Sequence, residues 1–211
     1  MSEEIKTMLG TVPPLVFPKM TYEEFLTAIP DDIHAEWVNG EVVLMTPISK
    51  KHQDLGSFLL ALIHHFTEAH QLGSVLYEPF QMKTSPDLPG RSPDILFVAN
   101  EHLDRLKENY LDGPADLVVE IISPDSRARD RKEKFREYER GGVREYWVLD
   151  PDLGHADFYI LGKDRVYHAF PIGEDNVLHS EVLKGFWLKL DWLWPVGRPS
   201  LIHVLKEWKL I

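Results

Sequence analysis

Ser92-Pro-Asp-Ile-Leu-Phe-Val98 and Asp116-Leu-Val-Val-Glu-Ile-Ile122 decide the reading of this chain, because each is a short hydrophobic run that carries one acid, Asp94 in the first and Glu120 in the second. Runs of this length, rich in Val, Ile and Leu, form buried strands. A carboxylate inside such a run loses its hydration and must be neutralised, paired or bound to a cation. Two such carboxylates brought together repel unless a divalent metal or a lysine sits between them, and hard oxygen ligands suit Mg²⁺ or Mn²⁺. The two runs thus point to a metal site for phosphodiester hydrolysis. The bland reading of Asp94 is a strand-start acid after Pro93. For Glu120 the bland reading is weaker, since Val118, Val119, Ile121 and Ile122 bracket it and glutamate is seldom buried without a partner.

Around these runs the periodicities predict an ordered set of elements. Residues 1–20, with Pro13, Pro14 and Pro18, read as an extended lead-in, and 21–211 as one domain with a core to about residue 160 and an elaboration over 161–211. Thr21-Tyr-Glu-Glu24 fits a capping box for a short helix to Ala28. Residues 34–46 read as a hairpin turning at Asn39-Gly40. Leu55, Phe58, Leu59, Leu62, Ile63 and Phe66 stripe one face of a helix over 49–71, stopped at Gly73. Strands are expected near 74–82, 93–98 and 116–122, with a polar connection between the last two. A charged helix over 125–140 closes at Gly141-Gly142, and a strand over 145–150 ends at Pro151. Further strands at 155–161, 165–171 and 181–190 and a helix at 199–209 complete the chain.

The 211 residues contain no cysteine, which excludes disulfides and thiolate zinc sites and is compatible with a reducing compartment. No apolar stretch approaches a membrane span, and the first residues lack a signal peptide's basic start and apolar segment, so the expected location is the cytoplasm. With 23 basic against 34 acidic residues the formal charge is −11, the wrong sign for coating nucleic acid nonspecifically. Against that, Arg127, Arg129, Arg131, Lys132, Lys134 and Arg136 concentrate positive charge in one segment. The ten histidines form no His-Glu-x-x-His pair, and phosphate-loop, dinucleotide and Gly-x-Ser-x-Gly motifs are missing.

Acidic strand end, acidic strand, helix and apolar strand is the order in which the PD-(D/E)XK nuclease superfamily presents its site. The chain resembles, more narrowly, the restriction-endonuclease-like family called Uma-two at Glu36-Trp-Val-Asn-Gly40, His52, Ser92-Pro-Asp94, Val119-Glu-Ile-Ile-Ser-Pro124, Lys134 through Tyr138, and Gly142-Val-Arg-Glu-Tyr-Trp-Val-Leu-Asp-Pro151. The resemblance implies an α/β fold of restriction-endonuclease type, a mixed central β-sheet flanked by helices, here with an N-terminal hairpin and a C-terminal β-rich extension. It also implies a metal, Mg²⁺ or Mn²⁺ in its place, held by Asp94, Glu120 and the backbone carbonyl of Ile121, with a lysine orienting the attacking water and Glu36 as a third acid. Two residues after Glu120, where a strict Glu-x-Lys puts that lysine, stands Ile122. The family carries a lysine on the following helix, and Lys134 matches that position.

A lysine stem is long enough to reach a strand end from an adjacent helix. At about 100° per residue Lys134 lies some 40° from Tyr138, on the flank of the Ala128-Phe135-Tyr138 stripe. The bland alternative is an exposed pair with Asp130, and Lys132 is the reserve candidate. Glu36 reads otherwise as the solvent-facing member of a hairpin strand. His52, near a helix start, contacts phosphate or substrate, or helps to cap the helix. The leading expectation is therefore a Mg²⁺-dependent endonuclease acting on DNA. Other classes stay open: a non-catalytic DNA-binding or protein-interaction module on the same scaffold, or a carboxylate-pair hydrolase of the glycosidase kind. Trp187, Trp192, Trp194 and Trp208 either seal the core or form the seam of a homodimer or higher homo-oligomer.

Overall fold

Asn39 and Gly40 take φ angles of 53° and 89°, the pair of left-handed conformations that a two-residue hairpin turn demands. They join β1 (Ala35–Val38) to antiparallel β2 (Glu41–Leu44) where the Asn-Gly signal predicts a turn. Upstream, α1 (Tyr22–Ala28) begins on a complete capping box: the Glu24 amide donates to Thr21 Oγ1 and the Thr21 amide to the Glu24 carboxylate. The computed structural model describes residues 17–30, 33–123 and 129–211, without the side chains of 129–131. The lead-in as far as residue 16, Pro124, Arg127, and the side chains of Arg129, Asp130 and Arg131 lie outside the described residues.

Ser49 caps α2 (Lys50–His70), whose Leu55, Leu59, Leu62, Ile63 and Phe66 are buried as the stripe predicts. Each such side chain contributes about 1.5–3 kcal/mol through burial. The helix ends at Gln71, in the left-handed region at φ 52°, and not at Gly73 as expected. Gly73 has a different use: a Cβ there would lie 2.0 Å from the Val98 carbonyl oxygen, so only glycine permits the close approach of its strand to the one that carries Val98.

The strands that follow are β3 (Gly73–Tyr77), β4 (Gln81–Lys83), β5 (Gly90–Arg91), β6 (Ile95–Ala99), β7 (Tyr110–Asp112), β8 (Leu117–Ile121), β9 (Glu145–Asp150), β10 (His155–Leu161), β11 (Tyr167–Ala169), β12 (Val177–His179) and β13 (Trp187–Lys189). A six-stranded mixed sheet runs β11-β10-β9-β8-β6-β3, with β8 and β9 parallel and its other neighbours antiparallel. A second sheet runs β2-β1-β5-β4-β7, and β12 pairs with β13. The single strand expected over 74–82 is thus two, broken at Glu78-Pro79 and sent to different sheets. The expected strand at 181–190 shrinks to β13, because 181–185 is a turn.

Alternation along β8 sorts the layers. Leu117, Val119 and Ile121 pack with α2 and the C-terminal segment, whereas Val118 and Ile122 pack with Tyr138 and Met82 on the opposite face. Tyr138 comes from α3 (Phe135–Gly141), which a turn of π-helix over Arg129–Lys134 precedes and which ends at Gly142, φ 90°. At the C-terminus α4 (Leu201–Glu207) seats Val204 in the core. Trp192 is buried and Trp187, Trp194 and Trp208 pack against the same cluster, so the tryptophans seal the core of this chain. Glu145 in the Glu-Tyr-Trp motif serves structure: it is fully buried and accepts from Trp147 Nε1, Ser180 Oγ and the amides of Glu181 and Val182, tying the C-terminal elaboration to β9. Among the described residues no helix is long and apolar enough to cross a membrane.

Candidate active site

The antiparallel register of β6 and β8 pairs Ile95 with Val119. One step further, the same register sets Asp94 opposite Glu120, and facing residues leave a sheet on the same side. Both acids line one cavity of about 120 Å³, together with His34, His52, Glu78, Ile121 and Lys134. Asp94 is held in place by the backbone of the neighbouring strand β8, since the Ile121 amide donates to its Oδ2. Its Oδ1 lies 3.0 Å from His52 Nε2.

Glu120 is 3 % exposed, and its charge is answered on both oxygens. Lys134 Nζ donates to Oε2 at 2.8 Å and the Tyr138 hydroxyl to Oε1 at 2.6 Å. Lys134 also lies 3.2 Å from Oε1 of Glu36, so one buried ammonium stands between two buried carboxylates. Lys134 is thus not the exposed lysine of the bland alternative: it is 2 % exposed. The π-turn delivers it, and Tyr138 follows four residues later on the same helical face. Burial, and next the Glu120 charge, push the Tyr138 hydroxyl well above its ordinary pKa, so it stays a donor. Lys132 is exposed and is not among the residues that line the cavity.

Glu36 is not the solvent-facing residue that simple alternation allows. It is fully buried, and Arg91 NH1 donates to its Oε2 at 2.8 Å. The same guanidinium forks onto Glu137 through Nε and NH2, both at 2.8 Å. Burial works against the Arg91 charge, but the Glu137 hydrogen bonds and the Glu36 charge outweigh it and hold the group above its ordinary pKa. Nor does the His52 side chain cap α2, a task that Ser49 performs by accepting from the His52 amide.

Four residues here escaped sequence reasoning. Arg91 directly precedes the Ser-Pro-Asp stretch, and an arginine against a buried run is the available signal. Tyr138 was visible only in an apolar stripe and as the end of the Lys134–Tyr138 stretch, with no role given to it. Glu78 and His34 sit outside any motif, and His34 Nε2 lies 3.3 Å from Glu78 Oε2. Burial lowers the His34 pKa, leaving the imidazole neutral near pH 7. Among the described residues, the group of three whose ligand atoms all lie within 4.8 Å of one another is His52, Glu78 and Asp94. Glu120 stands outside that group.

Burial, and next the Asp94 charge, push the Glu78 carboxyl up to about 7, with His52 and Lys134 pulling the other way. A raised carboxyl pKa means that the unfolded chain ionises first, so stability falls as pH climbs from the ordinary glutamate range through about 7. In metal-free protein Glu78→Gln should therefore raise the melting temperature more at pH 8 than at pH 5. Equal gains at the two pH values would contradict this.

The profile of a family described as Uma2, putative restriction endonuclease, matches residues 22–191. The fold is similar to the crystal structure of a putative nuclease belonging to DUF820 from Anabaena variabilis ATCC 29413, with a TM-score of 0.66 at 18% identity, over 82% of this chain and 97% of that one. No curated protein matches the chain.

Proposed function

The chain belongs to the Uma2 family of putative restriction endonucleases, and we propose that it is a metal-dependent endonuclease that hydrolyses DNA phosphodiester bonds at the cavity between Asp94 and Glu120. The observation that carries this reading is the facing pair of acids with a buried lysine beside one of them. Three carboxylates, Glu78, Asp94 and Glu120, line the cavity against one ammonium, so its charge and its oxygen donors fit a hard divalent cation. Asp94, Glu120 and the Ile121 carbonyl would hold Mg²⁺, or Mn²⁺ in its place. When bound, such an ion supplies Lewis acidity at the scissile phosphate and lowers the pKa of a coordinated water.

The chain's own groups do the positioning. The Ile121 amide fixes the direction of Asp94. Tyr138 pins one oxygen of Glu120, while Lys134, held between Glu120 and Glu36, presents an ammonium that can orient the water or stabilise charge growing on the phosphorus oxygens. Arg91 holds Glu36 in place through its hydrogen bond to Oε2. One such site per chain cuts one strand, so severing a duplex calls for a homodimer or higher homo-oligomer, and the cysteine-free composition suits the cytoplasm.

Conversion of supercoiled plasmid to nicked or linear forms with Mg²⁺ or Mn²⁺, and its suppression by EDTA, is the expected result. Failure on every DNA tested with either ion would favour a non-catalytic module on the same scaffold. A second expectation concerns Asp94→Asn, which retains a carbonyl oxygen for the Ile121 amide while removing a negative charge from a crowded cavity. Its melting temperature should be unchanged or higher while calorimetric metal binding is lost. A large drop in stability with metal affinity intact would make Asp94 a structural cap.

A further inference from the structure

We propose that His52, Asp94 and Glu78 form a nitrogen-containing site for a divalent transition-metal ion, with Mn²⁺ preferred over Mg²⁺. The site shares Asp94 with the nuclease reading and rests on that reading in this respect alone. Two features of the geometry carry it. His52 Nε2 and Asp94 Oδ1 are 3.0 Å apart, which is the edge of an octahedron whose metal–ligand bonds are about 2.1 Å long. One carboxylate oxygen of Glu78 lies within 4.8 Å of a ligand atom of each of the other two, so the three donors face one small space.

Asp94 is also held by a further partner, as ligands of metals in proteins usually are, and groups of the chain lie beside the other two. The Ile121 amide orients Asp94, His34 lies 3.3 Å from Glu78 Oε2, and Ser49 fixes the first turn of the helix from which His52 projects. His52 is 5 % exposed and Asp94 and Glu78 are half-buried, so the two carboxylates share a partly desolvated space in which a dication offsets their repulsion. The chemical class follows from the donors. Two carboxylates alone suit Mg²⁺, which keeps to oxygen and dehydrates reluctantly, whereas an imidazole nitrogen favours first-row transition ions.

The test uses the whole chain, stripped with EDTA and titrated with Mn²⁺ alone. Pulsed electron paramagnetic resonance of the bound Mn²⁺ should show coupling to a ¹⁴N nucleus, and His52→Gln should abolish that coupling. Calorimetry should show His52→Gln weakening Mn²⁺ by at least about tenfold, the lower end of what even an outer partner of a metal ligand contributes, with a smaller change for Mg²⁺. Glu78→Gln serves as the second variant: it should weaken Mn²⁺ while retaining the nitrogen coupling. Mn²⁺ bound without nitrogen coupling in the wild type, unchanged Mn²⁺ affinity in His52→Gln, or no Mn²⁺ binding would overturn the proposal. Cleavage of plasmid by a wild type that lacks the coupling removes this site and leaves the nuclease reading standing. Coupling without cleavage does the reverse.

Discussion

Lys134→Ala is expected to lower metal-dependent cleavage by a factor of about 10² or more, as loss of a positioned electrostatic or proton-transfer group commonly does. The ammonium lies against Glu120 and Glu36 within the wall of the cavity, and no lysine stands two residues after Glu120 to take its place. Metal binding should survive, because an ammonium is not a ligand. The variant also leaves two buried carboxylates facing each other, so a lower melting temperature is expected, and activity should be compared well below it. Lys132→Ala should retain wild-type cleavage, since Lys132 is exposed. Cleavage that withstands Lys134→Ala and disappears with Lys132→Ala would move the role two residues along.

Arg91→Ala should have the largest effect on stability, a loss of about 3–5 kcal/mol, which is the range for removing one partner of a buried ion pair. The guanidinium is 2 % exposed. It makes one hydrogen bond to fully buried Glu36 and two to Glu137, so its removal strands a charge inside the protein. Arg91→Lys should recover only part of the loss, because an ammonium cannot reproduce the planar fork that spans both glutamates. Urea denaturation measures both variants, and a loss below about 1 kcal/mol for Arg91→Ala, the level of an exposed pair, would show that the network contributes little.

What could be read from the sequence was whatever local pattern specifies. The Asn39-Gly40 turn, the Thr21 capping box and the Leu55–Phe66 stripe need only neighbours within a few residues, and all three formed as expected. The acids of β6 and β8 were legible because a charge inside an apolar run is conspicuous however the strands pair. β5 was not legible: it has two residues and exists because Trp37 and Met82 bring their strands to Gly90 and Arg91. β12 and β13 were likewise hidden, each three residues long and joined across a turn that reads as one apolar stretch.

The same distinction runs through the site. Asp94, Glu120, Lys134, Glu36 and His52 were nominated by motif or by resemblance, and the fold brings all five to one region. Glu36 and Glu120 meet there through Lys134, Asp94 and His52 through a direct contact. Tyr138, Arg91, Glu78 and His34 were missed because their partners lie 16 to 55 residues away in sequence, a separation over which no periodicity carries information. A metal or a lysine was expected between Asp94 and Glu120; the lysine stands instead between Glu120 and Glu36.

The most direct test of the central claim is a crystal structure of the protein soaked in Mn²⁺, examined by anomalous scattering. The nuclease account predicts a peak within about 2.2 Å of carboxylate oxygens of both Asp94 and Glu120, the usual bond length for a hard ion on oxygen. A fully soaked crystal with no peak at either acid would contradict it.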